Sequence, residues 1–598
     1  MTRLNEIVMK SPKWARLLIM SWILMISQSF VHAATYATSQ DKKLSNTASW
    51  IISQQTVNHP IWLQGDVKQL PPQVPLGSLW KLWVYTYSLD QHLPDQPYAC
   101  HAGNQAASGD EYCCTHSEPV SRDMALVRSC GAYFQPKRLN IQSKDWQRYW
   151  QQQAPDVPWL QRLSNLQPQT QVPVSDILNA LNRVPPHIMA QSREALLGRV
   201  LQPQWSDVLP NLGGAYRFKT FTWAHPRLTG AYFGGAAGWL ADGTAFWLGG
   251  TGGSHQVVQQ LSRSLATQLP PALQKNDDQC VSVHYFKRYP IEQISRVGDG
   301  QKAGVLTGNL RGDYRVQFAN SQNLVIHSEG ELSVQKHANQ PVQIIGRFGL
   351  QEYVARVIDR EGHAEQTEAA RALAIAARSY LIQNAEFHQG CLQIDDDSRY
   401  QRVSPNPPTH TARSVAAFTE GLTLTGSPIH YHQSKAETGR LGWNNAVSQS
   451  QHGLNYIQIL KQAYPKASWQ LPDQRQQCQP LKPAEQYLQH NLSKVSQLMA
   501  STEGFEALKS VNVCRLDYGN PYADQQSSNI YVRDWRSQND RVTLWHEYLH
   551  LAMRFHPRGQ DEVWIEQTAR RLTDQLGLSS SPESIIIETQ NRKIRHAQ

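Results

Sequence analysis

Two polar, proline-bearing breaks constrain this chain most: LPPALQKNDDQ at 269–279 and LPDQRQQCQPLKP at 471–483. Proline and clustered polar residues interrupt helices and strand ladders, so each break marks a boundary. At 598 residues the chain exceeds what one hydrophobic core serves, and the breaks divide it into pieces at 38–268, 280–470 and 484–598. The first mixes Gly-rich turns with helical stretches. The second opens on alternating runs, YRVQFA and NLVIHSEGELSVQ, that predict strands, then turns Ala-rich and helical. The third sets a strand-like NIYVRDW before a helix. This pattern predicts an α+β multidomain protein.

The N-terminus fixes the compartment. Lys10, Lys13 and Arg16 precede an apolar stretch over 17–30 that ends at Val31-His32-Ala33. A basic region, a short apolar core and small residues predict a secretory signal over 1–33, cleaved after Ala33. The stretch is shorter than the roughly 20 residues that span a bilayer, and no second apolar segment follows, so the mature chain is expected to be secreted or periplasmic without a membrane span. The eight cysteines become disulfide candidates there, with connectivity open. None forms a C-x-x-C pair, which argues against a thiolate zinc ribbon. A net charge of +9 suits an anionic partner such as cell-wall polymer, whereas no basic helix or nucleic-acid motif is present.

The middle piece carries EYVARVIDRE, then EAARALAIAARSYL, then RSVAAFTEGLTLTGSPIHYHQS, then LNYIQIL. In this order they resemble the stage II sporulation protein D family, secreted proteins that cleave peptidoglycan glycan strands or regulate that cleavage. The resemblance covers about 280–465, and the run Ala376-Ala377-Arg378-Ser379-Tyr380 is its most specific part. It implies a helix, turn and strand ending in Tyr431-His432, a further strand at LNYIQIL, and a catalytic glutamate at Glu361. Tyr431 and His432 are then substrate-binding residues of the cleft. A carboxylic acid at 361 would protonate the glycosidic oxygen, which needs a raised pKa near neutral pH; in lytic transglycosylases the sugar's own 6-hydroxyl then closes an anhydro ring, with no second carboxylate. The segment CLQIDDDSRYQRV departs from the family pattern.

In the first piece, PLGSLWKLWVYTYSL places Ser78 and Lys81 three apart at a helix start, so Lys81 is positioned to take the Ser78 proton. With MALVRSCGAYF and FKTFTW in order behind it, the region resembles the penicillin-binding transpeptidases and serine β-lactamases. That resemblance implies their fold over 38–268, with Ser129, Lys219 and Thr220 on the substrate. Gly131 stands where that family has Asn and Phe221 where it has Gly, so the resemblance implies a substrate-binding or degenerate domain whose groove Phe221 fills.

In the third piece, HEYLH places His546 and His550 on one helix face with Glu547 beside them. The pattern resembles zinc peptidases of the zincin type and implies one zinc ion, a mainly α zincin-like fold over 484–598, and a water activated by Glu547. An edge strand, NIYVRDW, would align an extended substrate. The third ligand is open among Glu566, Glu562 and His556. The expected function is that of an exported envelope protein acting on peptidoglycan through Glu361. Zinc-dependent cleavage of peptides or other envelope proteins, and a non-catalytic scaffold, are the alternatives.

Overall fold

The computed structural model describes residues 49–54, 60–100, 113–114, 119–225, 229–266, 279–298, 307–336, 341–388, 391–397, 401–434, 437–470, 478, 480–508, 511–516, 521–524, 528–533, 535–554 and 556–577. The expected leader, 1–33, lies outside the described residues. The chain forms two compact units. One runs to Asn211 and resumes over Tyr216–Gln268; the other takes Leu212–Ala215 and everything from Leu269 onward. The first proline break therefore coincides with a unit boundary, while the second lies inside the second unit.

The first unit contains β1 (Ser49–Gln54) and β2 (Pro60–Gln64), then α1 (Trp80–Asp90), α2 (Arg122–Arg128), α3 (Ser143–Gln153), α4 (Val174–Asn182) and α5 (Pro186–Val200). It closes with β3 (Arg217–Ala224), β4 (Tyr232–Trp239), β5 (Ala245–Thr251) and α6 (Ser254–Ala266). The five strands form one antiparallel sheet in the order β2-β1-β5-β4-β3, with β3 at an edge. Residues 80–88 of α1 are all buried, so this helix runs through the interior instead of along the surface. Its indoles pack with those of α3 and the sheet: Trp83, Trp146, Trp150, Trp239 and Trp247 are fully buried.

The second unit opens with β6 (Cys280–Tyr285), β7 (Ile291–Arg296), β8 (Gly312–Phe318), β9 (Asn323–Ser328), β10 (Leu332–Gln335) and β11 (Gln343–Gly349). Helices α7 (Leu350–Glu361) and α8 (Thr367–Asn384) follow, then β12 (Glu386–His388), β13 (Cys391–Asp395) and α9 (His410–Phe418). The pair β14 (His430–His432) and β15 (Arg440–Gly442) leads into α10 (Trp443–Gln451) and α11 (Tyr456–Ala463). Gly308–Asn309, β10, β11, β6, β13 and β12 make a six-stranded sheet in that order, and β9-β8-β7 a smaller one. LNYIQIL, expected as a strand, is the start of α11. Asn455 caps it and Gln458 reaches back, a reciprocal capping box that commits the segment to helix.

The C-terminal part has its own apolar core, built from α12 (Lys482–Met499), β16 (Asn512–Arg515), β17 (Tyr522–Asp524), β18 (Asn529–Val532), α13 (Gln538–Ala552) and α14 (Glu562–Gly577). The expected edge strand, β18, is the central one: β16 pairs with one side and β17 with the other. Its ladder is filled, so it has no edge for aligning substrate.

All eight cysteines pair, as Cys100–Cys114, Cys113–Cys130, Cys280–Cys391 and Cys478–Cys514. Cys280 and Cys391 are directly opposed on the parallel strands β6 and β13, which fastens the sheet beneath α7 and α8. No helix among the described residues is long and apolar enough to cross a membrane.

Candidate active site

Glu361 is the last residue of α7 and is half-buried. It lines a shallow cleft with Leu373, Tyr431, His432, Gln433, Leu441 and Trp443. Gly362 makes this possible, because a Cβ there would stand 2.8 Å from Leu373 Cδ2 and 2.9 Å from the Trp443 ring. Three residues expected at the site, Glu361, Tyr431 and His432, thus converge on one cleft.

The backbone N–H of Arg402 donates to Glu361 Oε1 at 2.8 Å. Burial nonetheless holds the Glu361 carboxyl above its ordinary range, outweighing the pull of that N–H and of the Arg402 and Arg360 guanidiniums, and Asp396 pushes the same way. Asp396 accepts from Arg402 Nε and from the Val403 N–H, each at 3.0 Å. Its carboxyl is also raised, by burial first. Gln401, fully buried, joins Tyr353 to Tyr431: the Tyr353 hydroxyl donates to Gln401 Oε1, and Gln401 Nε2 donates to the Tyr431 oxygen at 2.5 Å. Burial and the nearby Glu361 raise the Tyr431 pKa well above its usual value, so it is a neutral phenol. Asp396, Gln401 and Arg402 come from CLQIDDDSRYQRV, where the sequence read a departure from the family. Its Asp run was the available signal.

The motif run around Arg378 is architectural. Its guanidinium is fully buried and donates to Leu422 O (3.1 Å), Ala416 O (3.3 Å), Thr419 Oγ1 (3.4 Å) and Gln351 Oε1 (2.8 Å). Ser379 Oγ accepts from the Leu424 N–H at 2.9 Å.

In the first unit, Gly77 has φ +49°, a left-handed turn that starts the tight helical turn of Ser78 and feeds α1. Lys81 Nζ lies 3.4 Å from Ser78 Oγ and donates to Ser129 O at 2.7 Å. Lys219 Nζ on β3 is 2.6 Å from Ser129 Oγ and donates to Thr220 O at 2.8 Å. Ser129 follows α2 with φ +61°, and the next residue is tied through Cys113–Cys130. The Lys219 amine is held well below its ordinary pKa by burial, then by Lys81 and Arg199. Arg199 donates to Thr220 Oγ1 at 3.1 Å. Ser78, Lys81, Ser129 and Lys219 therefore form one connected cluster, and Ser78 is its half-buried member. Phe221 is buried against Gly77, Phe233 and Trp247 and belongs to the aromatic core.

The HEYLH helix, α13, starts from a Ser537–Asp540 capping box. His546 Nε2 and His550 Nε2 face each other at 3.1 Å, and His550 Nδ1 lies 2.9 Å from Gly559 O. Glu566, expected as a zinc ligand, instead places Oε2 3.0 Å from His546 Nδ1, the nitrogen turned away from the other imidazole. From there it orients the ring through the nitrogen opposite the one that faces His550. His556 caps the following turn, its Nδ1 accepting from the Arg558 N–H at 3.2 Å. Glu562 begins α14 with its side chain outside the described residues, and Glu547 is buried. Among the described residues no three His, Cys, Asp or Glu are grouped to hold a metal. A catalytic zinc takes three donors from its protein, and the side chain of Glu562, one candidate for the third, is not among those described.

These units define a mixed α+β multidomain protein with a sporulation-type domain. The stage II sporulation protein model matches 338–427, and the model described as predicted secreted protein (DUF2300) matches 106–227 and 439–558. The chain belongs to the family of the uncharacterized protein YfaQ of Escherichia coli (strain K12), to which it is 40% identical over 512 residues, covering 85% of this chain and 91% of that one. Among solved structures, the class D β-lactamase from Bacillus subtilis is 10% identical with TM-score 0.25, over 38% of this chain and 92% of that chain. The C-terminal domain of the Bacillus licheniformis BlaR penicillin-receptor is 12% identical with TM-score 0.26, over 39% and 92%.

Proposed function

We propose that this is an exported cell-envelope protein that cleaves peptidoglycan glycan strands, with Glu361 as the acid. The observation that carries the reading is a half-buried carboxyl, its pKa raised by burial, in a cleft walled by Tyr431, His432 and Trp443. Such a carboxyl keeps its proton at a pH where an exposed glutamate has lost it, and delivers it to the glycosidic oxygen as the sugar carbon becomes oxocarbenium-like. The sugar's 6-hydroxyl then closes an anhydro ring. The Trp443 and Tyr431 rings offer apolar faces to sugar C–H groups and a polar edge to hydroxyls. Digestion of purified peptidoglycan, read by mass spectrometry, is expected to release anhydro-sugar fragments, and Glu361→Gln to abolish the release. Equal digestion by that variant would sink the proposal.

A second reading is acyl transfer in the first unit, favoured by the connected Ser78, Lys81, Ser129 and Lys219. Ser78 would attack a carbonyl while Lys81 takes its proton. A fluorescent penicillin is expected to label the parent covalently and leave Ser78→Ala unlabelled; a parent that takes no label defeats this reading. The zinc peptidase expected from HEYLH carries no step here, since its donor set is incomplete among the described residues.

A further inference from the structure

Hydrogen-bond polarity in the cleft floor points to a role for two residues beyond the acid. Gln401 Nε2 has two protons. One goes to Ala377 O at 3.2 Å and the other to the Tyr431 oxygen at 2.5 Å. A carbonyl only accepts, so Ala377 fixes which end of the amide is nitrogen; the flipped amide would set two oxygens against each other. The Tyr353 hydroxyl, which can donate or accept, is compatible with that orientation and donates to Gln401 Oε1. Tyr431 must therefore accept from Gln401, which leaves its own O–H proton to be donated elsewhere. Among the described residues no acceptor takes that proton, and none donates to Glu361 Oε2, although both side chains line one cleft.

We infer that Tyr431 donates a hydrogen bond to an acceptor oxygen of the bound N-acetylated glycan, and that Gln401 is the positioning residue that, by donating to the phenol oxygen, keeps its proton for that acceptor. The inference rests on the glycan reading of this cleft. An ordered amide behind the phenol removes the alternative in which the hydroxyl satisfies itself inside the protein, so the donor is preorganised before substrate arrives.

The test uses the full chain carrying Glu361→Gln, so that glycan is bound and not consumed, and titrates it calorimetrically with the GlcNAc–MurNAc tetrasaccharide freed of its peptides. Tyr431→Phe is expected to weaken binding about tenfold, the scale of one hydrogen bond to a buried donor. Gln401→Glu, which presents only acceptors, turns the Tyr431 hydroxyl inward and is expected to match that loss, and the double variant to lose no more than either single one. Tyr353→Phe removes a hydroxyl from the far end while leaving Nε2 on Ala377 and Tyr431; its affinity is expected to stay within about twofold, and it guards against a Gln401 variant that fails to fold. Unchanged affinity in Tyr431→Phe, additive losses in the double variant, or an equal loss in Tyr353→Phe would overturn the inference while glycan binding stands. A parent with no affinity for the tetrasaccharide overturns both it and the glycan reading.

Discussion

Replacing Arg378 with Met tests whether the most family-specific run of the chain is architecture or chemistry. The guanidinium is fully buried at the crossing of α8 with the end of α9 and the turn beyond it. Its two shorter bonds, 2.8 Å to Gln351 Oε1 and 3.1 Å to Leu422 O, are charge-assisted and contribute about 1.5–3 kcal/mol each. The two at 3.3 and 3.4 Å add less. Met fills similar volume and removes a desolvated charge, which returns part of the loss. The net cost is expected at about 2–4 kcal/mol, which raises exchange of amides protected through this crossing roughly 30- to 700-fold. Hydrogen exchange at Leu422 and Leu424, whose N–H groups bond to Thr419 O and Ser379 Oγ, reads this locally. Arg378→Lys keeps the charge without the planar fork and should fall between. Exchange within twofold of the parent would refute the reasoning. So would a variant as protected as the parent that has lost glycan cleavage, since Arg378 would then act in the chemistry.

The other expectations concern titration and metal. Glycan cleavage should fall as pH rises through the raised Glu361 pKa, because only the protonated acid is competent; a profile breaking in the range of a free carboxylate contradicts the buried setting. The same raised pKa means that the native state binds this proton more tightly, so the stability it contributes is present at low pH and lost as pH rises through the folded value. Glu361→Gln should therefore gain stability over the parent toward neutral pH, checked by melting the two across pH. Lys219 has the opposite sign: its folded pKa is depressed, so its contribution is present above the unfolded lysine pKa and declines as pH falls toward the folded value. The parent should lose stability relative to Lys219→Met as pH is lowered from about 10.5, and parallel curves would refute a depressed Lys219 pKa. Protein dialysed against a chelator is expected to carry well under one zinc per chain and to melt unchanged when zinc is added; stoichiometric zinc lost in His546→Ala would show that a third donor completes the pair.

Local sequence patterns determined a good deal here. Spacing and Ala-rich composition marked the stretch of α7 and α8 as helical, because helix periodicity depends on neighbours a turn away; that Glu361 ends the first helix came from the structure. Serine and lysine three apart, and histidines four apart, were bound to share a helix face for the same reason. The proline break at 269–279 marked a unit boundary, since the disruption is local. What the sequence misread depended on partners distant in the chain. NIYVRDW is recognisable as a strand, but whether it lies at an edge is decided by strands that pair on either side of it. LNYIQIL has strand-like composition and is overruled by its cap. Glu566 could be named, yet which imidazole nitrogen it meets depends on how α14 crosses α13. Phe221 was legible as bulk; only the packing of three strands shows that it belongs to the aromatic core. The cleft itself was half legible: Glu361 and Tyr431 came from motifs, whereas Asp396, Gln401 and Arg402 reach Glu361 and Tyr431 only because β13 lies beside β6 and the chain returns under α7. Residue identity set which groups can ionise or donate; burial and the direction of each hydrogen bond, fixed by the tertiary fold, decided which of them do.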